Sequence, residues 1–149
     1  MNKNVIIIFT LFIIIIVICY TWLNGNRNNY KLVKTKNYEY EQYKNCEIYG
    51  PEVITLINKA INENEKNNVT KDEKGFYINN NENSIIIEII MITNEESKET
   101  TTYRMEAINK VGISDFIYNF NTAKFYINNI EYHKNSRISK IVIKQLINT

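Results

Sequence analysis

Glycine is scarce in this chain, with four in 149 residues, and proline occurs once. The glycines, Gly25, Gly50, Gly75 and Gly112, stand far apart. No run of them cradles a phosphate or opens a dinucleotide-binding helix, and no G-x-S-x-G elbow presents a nucleophile. Histidine also occurs once, at His133, so no second imidazole is present to share a metal ion. The two cysteines are Cys19, within an apolar run, and Cys46, beyond it. One in lipid and one in water do not form an intramolecular disulfide. Cys46 is left reduced or free to bridge another chain.

Charge of either sign is missing between Val5 and Leu23. The residues from Asn24 on carry all sixteen Asp and Glu and seventeen of the eighteen Lys and Arg, so that piece is close to neutral. That balance excludes a strongly basic nucleic-acid binder. Aromatic residues are plentiful but are not interleaved with a basic patch, which disfavours nucleic acid further. The length leaves room for one domain at most.

What is present is a membrane signal. A bilayer core of about 30 Å needs about 20 apolar residues at helical rise, and Val5 to Leu23 fits that length. Thr10 and Thr21 are its polar exceptions, and a Thr hydroxyl can bond back to a helical carbonyl. Tyr20 and Trp22 stand at the C-terminal end, where aromatic rings favour the headgroup region. A core helix of so small a domain would carry a polar stripe. A cleaved signal peptide would have a shorter apolar core and a small-residue exit. Here the exit is Tyr20-Thr21-Trp22-Leu23-Asn24-Gly25-Asn26. Cys19 follows Ile18 and not a small residue, which argues against lipidation. The sequence predicts an uncleaved anchor over residues 1–23, with the lipid bilayer as partner of Val5 to Leu23.

The flanking charges conflict on orientation. Lys3 precedes the span, while Arg27, Lys31, Lys34 and Lys36 follow it. A literal positive-inside count places the C-terminal domain in the cytoplasm. A short basic tail before an N-terminal apolar run is, however, how an exported signal anchor begins. The later charges are spread over ten residues and diluted by four asparagines. The expectation is a cell-membrane protein with an extracytoplasmic domain.

Residues 24–49 are expected to extend the first helix or form a juxtamembrane stalk, with Tyr38, Tyr40 and Tyr43 as packing or interfacial residues. Residues 50–149 are expected to form a small α+β domain, an antiparallel sheet packed with two or three helices. Gly50-Pro51-Glu52 starts a helix, since Pro suits the first turn and Glu the positive end of the dipole. Val53, Ile54, Ile57, Ala60 and Ile61 recur at helical spacing, predicting an amphipathic helix over 51–63.

Phe76 to Ile78 is a short strand candidate, and Asn79 to Asn83 a turn. Ser84 to Thr93 is apolar on both faces apart from Glu88, which predicts a central, doubly covered strand. Asn94 to Thr102 reads as a polar loop, and Tyr103 to Lys110 as a helix stopped at Gly112. Ile113, Phe116, Ile117 and Phe120 share one face of a further helix. Lys124 to Tyr132 and Ile138 to Ile147 form a hairpin. The alternation of Ile141 and Ile143 with Lys140, Val142 and Lys144 predicts a half-buried edge strand.

Candidate chemistry is thin. Glu88 is a residue at a sheet margin, a partner of a lysine, or a buried acid with a raised pKa. His133 is expected to be a solvated hairpin residue. Glu95, Glu96 and Glu99 form a solvated acidic run, and Lys71 to Gly75 (K-D-E-K-G) an exposed turn. The sequence therefore predicts a non-enzymatic protein with no catalytic residue, no cofactor and no metal ligand. Its partner would be a protein or a second copy of itself.

Tyr49 to Ile61 (Y-G-P-E-V-I-T-L-I-N-K-A-I) resembles a segment of a group of uncharacterised one-span proteins of low-GC bacteria. So do Thr102 to Ile108 (T-Y-R-M-E-A-I) and Ile130 to His133 (I-E-Y-H). The resemblance implies an N-terminal anchor and brings no activity. The layout also resembles type IV pilins and pseudopilins, which implies a structural subunit of a secretion or surface assembly. The prepilin peptidase site of that family needs a Gly before the apolar run and a Glu within it. This chain has no Gly before Val5 and no acid from Val5 to Leu23.

Overall fold

The computed structural model describes residues 3–94 and 96–147. Met1, Asn2, Glu95, Asn148 and Thr149 lie outside the described residues, so the Glu95 member of the acidic run is not placed. The chain divides into two compact units, residues up to Lys36 and residues from Asn37 onward.

The first unit is the greater part of helix α1, Lys3–Glu41. Its 39 residues measure about 58 Å at helical rise, well beyond the ~30 Å of a bilayer core. It is the one helix among the described residues long and apolar enough to cross a membrane. None of the apolar window is buried against protein. Thr10 donates its hydroxyl proton to the Ile6 carbonyl at 2.8 Å, and Thr21 to that of Ile18 at 2.9 Å. Both polar side chains in the apolar run are thus satisfied within the helix, as a lipid environment requires. Of the two expectations for the residues after the anchor, helix extension is the one realised as far as Glu41.

The second unit holds β1 (Ile48–Tyr49), α2 (Gly50–Lys66), β2 (Ile86–Asn94), β3 (Glu99–Arg104), α3 (Met105–Val111), α4 (Ile113–Phe120), β4 (Lys124–Tyr132) and β5 (Ile138–Gln145). The strands form one sheet in the order β1-β4-β5-β2-β3. All pairings are antiparallel except β2 with β5. The architecture is α+β, as the residue patterns predict. The sheet is mixed and not wholly antiparallel, because β2 and β5 meet side by side only after two hairpins and a helical excursion.

Register explains the core. Ile87 and Ile89 of β2 face Ile141 and Ile143 of β5, which in turn face Ile130 and Ile127 of β4. All six are buried. Over this layer pack Val53, Leu56, Ile57 and Ala60 of α2, Met105 and Ile108 of α3, and Phe116 of α4. Glu52 accepts a hydrogen bond from the Tyr49 N–H at 3.0 Å, closing the first turn of α2.

The alternate side chains, Glu88, Ile90 and Ile92 of β2 and Lys140, Val142 and Lys144 of β5, are only half-buried. This overturns two expectations. β5 is the middle strand of the sheet and not an edge, while β2 lies next to the edge and is fully covered on one face only. The lysines mark an open sheet face, where Lys140 meets the Glu88 carboxylate at 2.9 Å. Charge on such a face says nothing about position within the sheet.

A third correction concerns residues 99–102, read as loop and found in β3. Three threonines are β-branched and suit a strand, but their polarity hid them. The β2–β3 turn is set by Asn94, whose Oδ1 accepts from the N–H groups of Glu96 and Ser97, with Lys98 at φ 55°. Phe76 to Ile78 shows a single bridge, Lys71 with Tyr77, and no extended strand. The Lys71–Gly75 turn is confirmed. The Asp72 carboxylate accepts from Lys74 and Phe76 N–H groups, and Gly75 takes φ 82°.

The last turn of α1 belongs to the second unit. Asn37 donates to the Ser136 carbonyl at 2.7 Å and accepts from the Ile138 N–H at 3.2 Å. Tyr40 is buried among the core residues, and its hydroxyl has no hydrogen-bond partner. Burial pushes that phenol well above the ordinary tyrosine value, with the Glu63 and Glu39 carboxylates adding to the effect.

Candidate functional site: an apolar cleft beside the open edge

Met91 on β2 and Tyr103 on β3 form the sheet side of a cleft of about 290 Å³. Ala107, Ile108, Phe116 and Phe120 form its helical side. The corner between α3 and α4 is Gly112, which serves both as C-cap of one helix and N-cap of the next. It adopts φ 118°, a region that favours glycine, so the chain turns there without a loop. The turn brings α4 across the end of α3. Phe116 and Phe120 then lie 5.1 Å apart, and Phe116 stands 6.3 Å from Phe125 on β4.

The walls are hydrocarbon and aromatic. Asp115 and Asn119 of α4 are exposed lining residues, and Asn119 is oriented by donating to the Asp115 carbonyl at 2.9 Å. β3 beside the cleft is one of the two outer strands of the sheet. The cleft is at the lower end of ligand-pocket size. It suits one or two apolar side chains, with a carboxylate, an amide and the Tyr103 phenol available for orientation.

The residues singled out in the sequence lie elsewhere. Glu88 and Lys140 retain 26% and 31% side-chain exposure and form an ion pair on the open sheet face. That corresponds to the lysine-paired reading of Glu88 and not to a buried acid. His133 is not solvated, which is a further correction. It is 7% exposed, and its Nε2 lies 2.8 Å from the Ser84 carbonyl oxygen, so that nitrogen carries the proton and donates. Its own N–H donates to the Arg137 carbonyl at 2.8 Å. The asparagine turn at 79–83 folds over the hairpin end, and Asn135 adds a bond to the Glu82 carbonyl. The histidine is a clasp between two turns. Cys19 and Cys46 are both free and exposed. Among the described residues, no group of three or more His, Cys, Asp or Glu is arranged to hold a metal ion.

Two polar clusters were not anticipated. Glu106, in the first turn of α3, is 5% exposed. Its Oε1 accepts from the Tyr77 N–H at 2.8 Å and from Arg104 Nη2 at 3.0 Å. Arg104 Nη2 also donates to the Tyr77 carbonyl at 2.8 Å. This triangle fastens the 70–78 excursion to the start of α3 and so fixes the helix that walls the cleft. Asn64, fully buried near the end of α2, pairs with both backbone groups of Ile85, at 2.7 and 2.8 Å. Arg104 and Glu106 stand two residues apart across a strand-to-helix junction, a spacing with no periodic signature. The cleft residues come from four elements, and only the packing brings them together. Compared with protein-family models, with curated proteins and with solved structures, the chain matches none.

Proposed function

We propose that this chain is a single-pass membrane protein that tethers a small, non-enzymatic interaction domain on the extracytoplasmic side. The observation that carries this reading is Val5 to Leu23, an uncharged helical run of bilayer length whose described side chains from Ile6 on pack against no other part of the protein. The in-helix bonding of Thr10 and Thr21 and the aromatic pair Tyr20 and Trp22 support it. The domain contributes a concave apolar surface, the cleft beside β3, where a partner protein's side chain would seat.

A reporter fused after Thr149 tests both tether and orientation. Alkaline phosphatase fused there is expected to be active and to stay with the membrane fraction. A fluorescent cytoplasmic reporter with an inactive phosphatase fusion would reject the exported orientation and favour the literal charge count. An active phosphatase released to the medium would reject the anchor.

A further inference from the structure

We propose that Arg27, Lys31 and Lys34 form a contact stripe for the headgroups of anionic phospholipids, a proposal that rests on the membrane-anchor reading of α1. The first acidic residue of the chain is Glu39, so the helix leaves the apolar run with positive charge only. Because α1 is unbroken from Lys3 to Glu41, the spacing of these three residues can be converted into a direction. They stand at i, i+4 and i+7, which at about 100° per residue confines them to an arc of about 60°. All three are exposed. Lys36 falls on the opposite side of the helix.

The stripe begins about 6 Å beyond Leu23 and reaches about 16 Å, at 1.5 Å per residue. A headgroup layer is about 5–8 Å deep on each side of the hydrocarbon. Arg27 therefore sits at headgroup level. Side chains on a helix lean toward its N-terminus, which here is the direction of the bilayer. Lys31 extends a long, flexible stem back along the helix toward the phosphates, and Lys34 holds its ammonium a few ångströms outside the headgroup layer. Their charges remain within about a Debye length of the surface. Three cations on one side, with no carboxylate before Glu39, complement a negatively charged lipid surface. The contact would also bias the rotation of α1 in the membrane.

Trp22 is the single tryptophan of the chain and lies five residues before Arg27. It serves as the internal probe. The full chain is reconstituted into mixed phosphatidylcholine and phosphatidylglycerol vesicles in which one lipid or the other carries bromine near the acyl carbonyl. Trp22 stands about 150° around the helix from the stripe, so its quenching reports which lipid is enriched around α1 as a whole. Brominated phosphatidylglycerol is expected to show a relative association about threefold higher than brominated phosphatidylcholine, falling toward unity in high salt. R27Q/K31Q/K34Q keeps helix propensity and should erase the preference, whereas K36Q should retain it.

Equal quenching by the two lipids in the wild-type chain would overturn the stripe and leave the anchor standing. An equal loss in K36Q would overturn it too, since net charge and not position would then be responsible. Trp22 that neither lipid quenches would refute the anchor reading itself and the stripe with it.

Discussion

Glu106→Ala is expected to destabilise the domain by about 3 kcal/mol, measured by urea unfolding of the detergent-solubilised chain. The carboxylate is 5% exposed, and its loss strips the buried Tyr77 N–H of its acceptor and Arg104 of its ion partner. Arg104 keeps 30% exposure and can recover part of its hydration, which places the expected cost at the lower end for a broken buried pair. Glu106→Gln retains an acceptor for Tyr77 and should cost roughly half as much. A Glu106→Ala protein within about 0.5 kcal/mol of wild type would show that the 70–78 excursion is held by apolar packing and not by this triangle.

Gly50→Ala is expected to be destabilising by about 2 kcal/mol, although Ala is ordinarily the better helix residue. A Cβ at Gly50 would collide with the carbonyl oxygen of Phe120 and come within 2.9 Å of its carbonyl carbon. Those are backbone atoms at the end of α4, so relief requires one helix to move. Phe120 lines the cleft, and the displacement should reshape it. Gly25→Ala supplies the contrast. Nothing lies within 4 Å of a Cβ there, so the same substitution should be neutral or stabilising by up to about 1 kcal/mol. If Gly50→Ala unfolds at the same urea concentration as wild type, the close approach of α2 to α4 is looser than the geometry indicates.

Elements with a clear period were legible in the residues. The α2 stripe, the shared face of Ile113, Phe116, Ile117 and Phe120, the Lys124–Gln145 hairpin and the asparagine turn all follow from local pattern and turn chemistry. Periodicity assigns a side chain to a face, but it does not say which element lies alongside. Hence the residue pattern of β5 suggests an edge although it is the middle strand, and the threonines of β3 read as loop. Buried polar residues were the other blind spot. His133, Asn64 and Glu106 each satisfy backbone groups distant in the chain, and burial of that kind depends on partners that no local window contains. The cleft was illegible for the same reason, since Met91, Tyr103, Ile108 and Phe120 become neighbours only through the turn at Gly112.

The central claim is that α1 holds the chain in the bilayer. Alkaline carbonate extraction of membranes containing the full chain tests it most directly. The wild-type protein is expected to remain in the membrane pellet, and I13K/I15K to shift to the supernatant, because each lysine near mid-span costs about 3 kcal/mol of insertion. Wild-type protein released into the carbonate supernatant, whole or cut after residue 23, would contradict the account.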